Sequence, residues 1–286
     1  MPIDPAVAVG AELAEQRFAW SASDVLLYHL AVGAGTPPTD PRELRYTYER
    51  ELQVLPTFAT VAATNHTYEP PRVSFPGVEI DLAKVVHGRQ EVTLHQPIPV
   101  SGSAVTRSRI ADVYDKGKAA VIVQESRTVG ADGSPLWSAR SSIFARGEGG
   151  FGGERGPSSK IVPPDRAPDV VVESPVLPQQ ALLYRLCGDR NPLHVDPEFA
   201  RAAGFEAPIL HGLCSYGMVC KAVVDAMLDG VSARVASFAA RFAGIVFPGE
   251  TLRTRIWDTS EGLVLTACAV QRDEAPVLAD ALLTAR

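Results

Sequence analysis

The sequence predicts an α+β fold: two tandem antiparallel sheets, each wrapped around a central helix, with the N-terminal helix shortened. An internal echo is the first observation behind this. Leu-Leu-Tyr-x-Leu stands at residues 26–30 and again 156 residues later, at 182–186. In the same order, Gly102 leads to "RSRI" at 107–110 and Gly249 to "RTRI" at 253–256. The halves close alike, with "PLWSARSSIFAR" ending at Arg146 and "PVLADALLTAR" ending at Arg286. The second observation is the order of patterns in the later half, one long helical period followed by a run of strands.

The stretch between the halves, residues 147–169, is rich in Gly and Pro and poor in large apolar groups, which is linker composition. The chain therefore divides into an N-terminal unit at 1–150, a linker at 151–170 and a C-terminal unit at 171–286. In the first unit "LPTFATVAATNHTYEPPRVSFPG" opens as a helix at Thr57, but Pro70 and Pro71 break it. Strands follow in "QEVTLHQPI", "SAVTRSRIADVY", "AAVIVQESRTV" and "PLWSARSSIFA", with "DKGK" at 115–118 as a hairpin turn. A short helix leaves room inside that unit, which we expect to take something apolar and elongated.

In the second unit "LPQQALLYRLCG" suits a short helix ended by Gly188. "HGLCSYGMVCKAVVDAMLDG", residues 211–230, carries Leu213, Tyr216, Val219, Cys220, Val223, Val224 and Met227 at spacings of three and four. That is a helix with one buried stripe, beginning near Leu213 and capped by Gly230. "ASFAARFAGIVF", "ETLRTRIWD", "LVLTACAVQR" and "PVLADALLT" then read as an antiparallel meander.

Composition narrows the function. A net charge of −6 gives no global attraction to nucleic acid or an anionic bilayer. No window approaches the roughly 18 apolar residues of a membrane helix. The first residues lack a secretory pattern, and "LLTAR" is not a peroxisomal address of the Ser-Lys-Leu type. Four scattered cysteines, Cys187, Cys214, Cys220 and Cys268, suit a reducing compartment, so the cytoplasm is expected.

The chemistry concentrates in "LLYRLCGDRNPLHVDPEFA", residues 182–200. Gly, Asp, Asn and Pro each favour turns for separate backbone reasons, whereas His194 is not a turn former. Asp189 and His194 lie five residues apart across a bend that Pro192 stiffens, and a bend can aim both side chains at one point. Together they polarise a water, with Asn191 holding a neighbouring group by its amide. Further on, Gly212 opens the long helix with a free backbone N–H at the positive end of the dipole. Such a donor suits a carbonyl oxygen that becomes anionic, and Gly lets a substrate come close. The first half has none of these residues at the matching places, so one site per chain is expected.

"YRLCGDRNPLHVDPEFA", "HGLCSYG" and "RFAGIVFPGETL" resemble the signature segments of the R-specific 2-enoyl-CoA hydratases, the MaoC-like dehydratases. "DVLLYHLAVGAG", "VLPTFA" and "VYDKGK" are similar to the degenerate N-terminal half of the two-domain type found in peroxisomal multifunctional enzymes. The resemblance implies a double hot-dog fold and hydration of a trans-2-enoyl-CoA to a (3R)-hydroxyacyl-CoA, or the reverse. It implies Asp189 and His194 as the catalytic pair, Asn191 as the orienting residue and Gly212 as the oxyanion donor. Lys116, Lys118, Arg253, Phe247 and Gly249 are candidate contacts for the coenzyme A thioester. The cation set also includes Arg107, Arg109 and Arg255, each of which reads equally well as a solvated strand residue. No metal or cofactor is expected, and a homodimer follows from resemblance alone.

Other readings compete. Asp189, His194, Asp196 and His211 read as a metal cluster, but the spacing fits no common site. His211, His29, His66, His87 and His95 read as structural, Tyr184 as core and Cys187 as small apolar packing. The same residues run backwards serve a dehydratase acting on acyl-carrier-protein thioesters. A hot-dog thioesterase needs a differently placed carboxylate, and a non-catalytic acyl-CoA-binding subunit has no need of the Asp-x-Asn-Pro-x-His set.

Overall fold

The computed structural model describes residues 3–158 and 160–286. The first half supplies strands β1 (Gln16–Trp20), β2 (Val73–Phe75), β3 (Val78–Ile80), β4 (Val85–Leu94), β5 (Gly102–Asp115), β6 (Ala119–Gly130) and β7 (Pro135–Arg146). The second half supplies β8 (Val170–Pro175), β9 (Val235–Phe242), β10 (Thr251–Thr259), β11 (Gly262–Ala269) and β12 (Ala275–Ala285). Apart from the β2–β3 hairpin, these strands form one ten-stranded antiparallel sheet in the order β1-β5-β6-β7-β4-β9-β12-β11-β10-β8. Read inward from either edge, the two halves repeat one order. The internal echo is thus a structural duplication, joined where β4 pairs with β9 from Arg89↔Arg241 to Thr93↔Ser237.

The helices are α1 (Pro5–Ala8), α2 (Ala22–Ala31), α3 (Pro41–Thr47), α4 (Gln180–Tyr184), α5 (Pro197–Ala202) and α6 (Gly212–Met227). Ser21 and Asp24 form a reciprocal cap that starts α2. Where the first half should carry the counterpart of α6, it has one 3₁₀ turn, Pro56–Thr60. The shortened helix is therefore real. Phe58 of that turn packs on Trp20 at a ring-centroid distance of 6.4 Å, and Trp20 on Trp137 at 6.0 Å.

Several expectations need correction. α6 begins at Gly212 rather than Leu213 and is buried nearly all round, with Ser215, Gly217 and Met218 as deeply placed as the apolar stripe. The first half covers the side that a single stripe would leave wet. A Cβ on Gly217 would come within 2.6 Å of Val32 and 2.7 Å of the Tyr28 hydroxyl. The helix ends at Met227, and Gly230, with positive φ, returns its N–H to the Val224 carbonyl. β9 stops at Phe242, leaving 243–250 as a loop, and β11 gives way to a 3₁₀ turn at Val270–Arg272. The linker is held at several points. The buried Asp115 carboxylate accepts N–H donors from Gly117, Gly150 and Gly152, and Ile161 donates to Asp280.

One apolar core runs through both halves, from Trp20, Phe58 and Trp137 to Tyr216, Phe238 and Leu283. A second cluster packs α1 and the β2–β3 hairpin over the other end of the first-half strands through Ile80, Ile110, Ile122 and Ala145.

Candidate active site

The site forms where the 184–194 turn meets the start of α6. Gly188 ends the 3₁₀ turn Arg185–Cys187 in the left-handed region, at φ 105°. The chain reverses there, and Asp189 follows at once. Asn191 then caps the short 3₁₀ turn Pro192–His194, its side-chain oxygen accepting the Leu193 N–H at 3.0 Å. The Asn191 backbone N–H donates to Asp189 Oδ1 at 3.2 Å. One asparagine thus shapes the bend and anchors the carboxylate.

His194 is buried and donates from Nδ1 to the Ile209 carbonyl at 2.9 Å, which leaves Nε2 as the acceptor. His211 immediately precedes α6. Its ring stacks on that of His194 at 3.7 Å, and its Nε2 donates to the Asp189 carbonyl at 3.2 Å. Ligand-type atoms of Asp189, His194 and His211 lie within 4.8 Å of one another. Asp196 is not among them; it caps α5 by accepting from Glu198 and Phe199. His211, read as structural, supports the site directly, since it forms the floor under His194.

Gly212 is the first residue of α6, so its N–H belongs to the set without an intrahelical acceptor. A Cβ at this position would meet the Phe242 ring at 3.1 Å. Glycine keeps that amide approachable.

Electrostatics divide the groups. Burial works against ionisation of Asp189, but the His211 and His194 imidazoles and the Asn191 N–H outweigh it and hold its pKa below the ordinary carboxylate value. Burial pulls His194 below the ordinary imidazole value even though Asp189 and the Ile209 carbonyl oppose it. His211 is driven by burial to about 3. At neutral pH the site holds a carboxylate among neutral rings.

The structure brings Asp189, Asn191, His194 and Gly212 together. Phe247 and Gly249 lie in the adjoining 243–250 loop, which the Leu210 N–H ties to the segment before α6 through the Val246 carbonyl at 2.7 Å. Lys116 instead reaches the Arg155 carbonyl, Lys118 is exposed at the hairpin tip, and Arg253 is ion-paired with Glu173 and Glu274. Cys187 is buried, its thiol pushed by burial up to about 12, as packing requires. His29 is a structural pin and Tyr184 is core, as expected. His87, read as structural, packs edge to face on the Phe242 ring at 5.3 Å, and the nearby charges of Asp189 and His194 act on it, which no local motif announces.

Comparison with known proteins fits this geometry. Residues 160–274 match the MaoC like domain and residues 18–147 the MFE-2 hydratase 2 N-terminal domain. An enoyl-CoA hydratase of Mycobacterium tuberculosis, ChsH3, is 57% identical over 97% of this chain and 97% of its own. The chain belongs to the MaoC-like family, in its two-domain hydratase 2 form. A 3-hydroxyacyl-thioester dehydratase Y from the same organism is 42% identical, covering 92% of this chain and 90% of its own. The crystal structure of a MaoC-like dehydratase from Phytophthora capsici superposes with a TM-score of 0.86 at 28% identity, over 98% of this chain and 96% of that one. The ten-stranded arrangement is the double hot-dog of MaoC-like proteins. No helix among the described residues is long and apolar enough to cross a membrane.

Proposed function

We propose that this MaoC-like chain is a hydro-lyase that adds water across the double bond of a trans-2-enoyl-CoA to give a (3R)-hydroxyacyl-CoA, reversibly. One observation carries the reading: the Asp189 carboxylate, the acceptor nitrogen of His194 and the leading N–H of α6 are gathered at one bend. In the forward direction a water rests between Asp189 and His194 Nε2. The pair takes one proton as the oxygen bonds to Cβ, and electron density moves to the thioester oxygen, where the Gly212 N–H holds it. The pair then returns a proton to Cα. Atoms balance with water as the sole co-substrate, so the chemistry calls for no metal or redox cofactor. Asn191 keeps the carboxylate aimed.

The room expected beside the 3₁₀ turn is filled by the buried rings of Trp20, Phe58 and Trp137, so in this reading an acyl chain enters the first half there only by displacing them. Phe247 and Gly249 fit a thioester-contacting role better than Arg253, whose charge Glu173 and Glu274 already meet. A homodimer, from family resemblance, and a cytoplasmic location, from the scattered cysteines, complete the reading, and a monomer mass in sedimentation would refute the pairing. The named dehydratase relative favours the reverse reaction on other thioesters as the second reading.

The test mixes the purified chain with crotonyl-CoA and longer enoyl-CoA substrates and follows loss of the conjugated absorbance. Asp189→Asn should fold normally and lose on the order of 100-fold or more in kcat, the usual worth of positioned acid–base groups. Near-normal turnover by this variant would overturn the assignment. Thiol release would instead mark a thioesterase, binding without turnover a carrier subunit, and faster reaction on acyl-carrier-protein thioesters the second reading.

A further inference from the structure

The inner face of β4 and β7 changes character along its length. The cross-strand pairs on it run Leu94 with Trp137, Val92 with Ala139, Gln90 with Ser141, His87 with Ile143 and Val85 with Ala145. Leu94, Val92 and Trp137 belong to the shared core, and Ala145 to the second apolar cluster, with Val85 and Ile143 packed against it. Between them stand three polar side chains, Gln90 and His87 on β4 and Ser141 on β7.

His87 is on that face only because the strand breaks its own rule. Leu94, Val92 and Gln90 alternate inward, so strict alternation would turn Gly88 inward and His87 outward. The register slips by one residue between His87↔Ile143 and Arg89↔Ser142, with Gly88 as the extra residue. A bulge of this kind re-aims a side chain. Gly88 is suited to it, since a Cβ there would come within 2.7 Å of Ser142 Oγ. The redirected imidazole meets the Phe242 ring edge to face at 5.3 Å. Phe242 in turn lies against Gly212, at the N–H proposed to receive the thioester oxygen.

We propose that His87, turned inward by the bulge at Gly88 and braced on Phe242, is a positioning residue that the first half contributes to the site of the second. The groups facing it fit that role. From the turn come Asp189 and His194, from its own strand Gln90, from β9 the Phe242 ring, and from β7 the uncharged Ile143. Burial lowers the His87 pKa, with Asp189 and Gln90 opposing and His194 adding to the fall. His87 in turn helps to hold Asp189 low. The ring therefore stays neutral beside the carboxylate until the medium is acidic, and then competes with His194 for the proton. Its catalytic meaning rests on the hydratase reading above.

The full chain carrying His87→Phe or His87→Gln tests it, through hydration kinetics across pH and an imidazole NMR titration of His194. His87→Phe should melt cooperatively, keep KM nearly unchanged and lose kcat by on the order of 10- to 100-fold, the range a misplaced catalytic group costs. Its acid limb should move toward neutral pH, because Asp189 loses a neighbour that helps to hold its pKa down. His87→Gln should recover most of kcat while keeping the moved limb. Wild-type kcat and an unmoved limb in both variants overturn the proposal, as does a kcat that falls only with the folded fraction. If the unaltered chain hydrates no enoyl-CoA, the hydratase reading fails by itself. The NMR titration then decides, and a His194 that titrates alike with and without His87 ends the inference.

Discussion

Gly188 is the residue on which the bend depends. Its φ of 105° lies in the region that side chains avoid, and a Cβ there would sit 1.9 Å from the Thr64 carbonyl oxygen of the opposite half. Gly188→Ala must therefore either unwind the bend or push the two halves apart. The left-handed conformation alone costs about 1–3 kcal/mol, and the collision adds to it. We expect a lower urea midpoint together with a lost hydration rate. A Gly188→Ala chain with a wild-type midpoint would show that the turn relaxes without help from this glycine. At this scale the sequence is most informative. Asp189, Asn191 and His194 are close in the chain, so local backbone chemistry places them and a motif can display them, and Gly212 shows itself by opening a long periodic helix. His211 and His87 escape such a reading because their positions are set at a distance. His211 gains its role by stacking on His194 across 17 residues of chain, and its one local sign is its place just before Gly212. His87 depends on a register slip against β7, which the alternation of β4 alone does not reveal.

Among the elements, His29 of α2 pins α3 and the extended lead into the 3₁₀ turn at Pro56–Thr60, which stands where the long helix is missing. The Leu55 N–H donates to Nε2 at 3.1 Å, so Nδ1 carries the proton and donates to the Tyr46 carbonyl at 2.8 Å. A second proton would break the Leu55 bond. Burial, against the pull of the Tyr46 carbonyl, lowers this ring from 6.5 to about 4. The unfolded chain takes the proton near pH 6.5 and the folded chain only near pH 4, so between those values acid favours the unfolded state. The contribution is complete above pH 6.5, declines as pH falls through the window and is gone below about 4, a loss on the order of 3 kcal/mol. Urea unfolding at pH 7.5 and pH 5 should show a steep fall for the unaltered chain and a shallower one for His29→Gln, which starts weaker. Equal pH slopes would remove His29 from this account. Such pins explain why the elements of the first half are harder to read than those of the second. β1 and the β2–β3 hairpin are short segments held by distant partners, whereas α6 and the meander after it carry long periodic signals.

For the whole molecule, duplication and division are different things. The sequence divides the chain at its Gly- and Pro-rich stretch, and the repeated strand order bears out the duplication. Yet β4 pairs with β9, α6 is covered by first-half residues, and Gln180 of α4 donates to the Ala31 carbonyl at the end of α2. Composition shows where a chain is free to loop; it does not show that the pieces on either side bury their apolar faces against each other. A half released from its partner would expose the β4 or β9 edge and the faces of α2 and α6 now packed together, and small cores tolerate such exposure poorly. We therefore expect one cooperative transition, with tryptophan fluorescence reporting mainly the first half and far-UV circular dichroism both, and with coincident midpoints. Cutting within 147–169 should leave the two pieces associated and active, while either piece made alone should fail to give a cooperative melt. Two separated transitions in the intact chain would show that the halves hold themselves together independently, and a site built from both would then require their docking as a separate step.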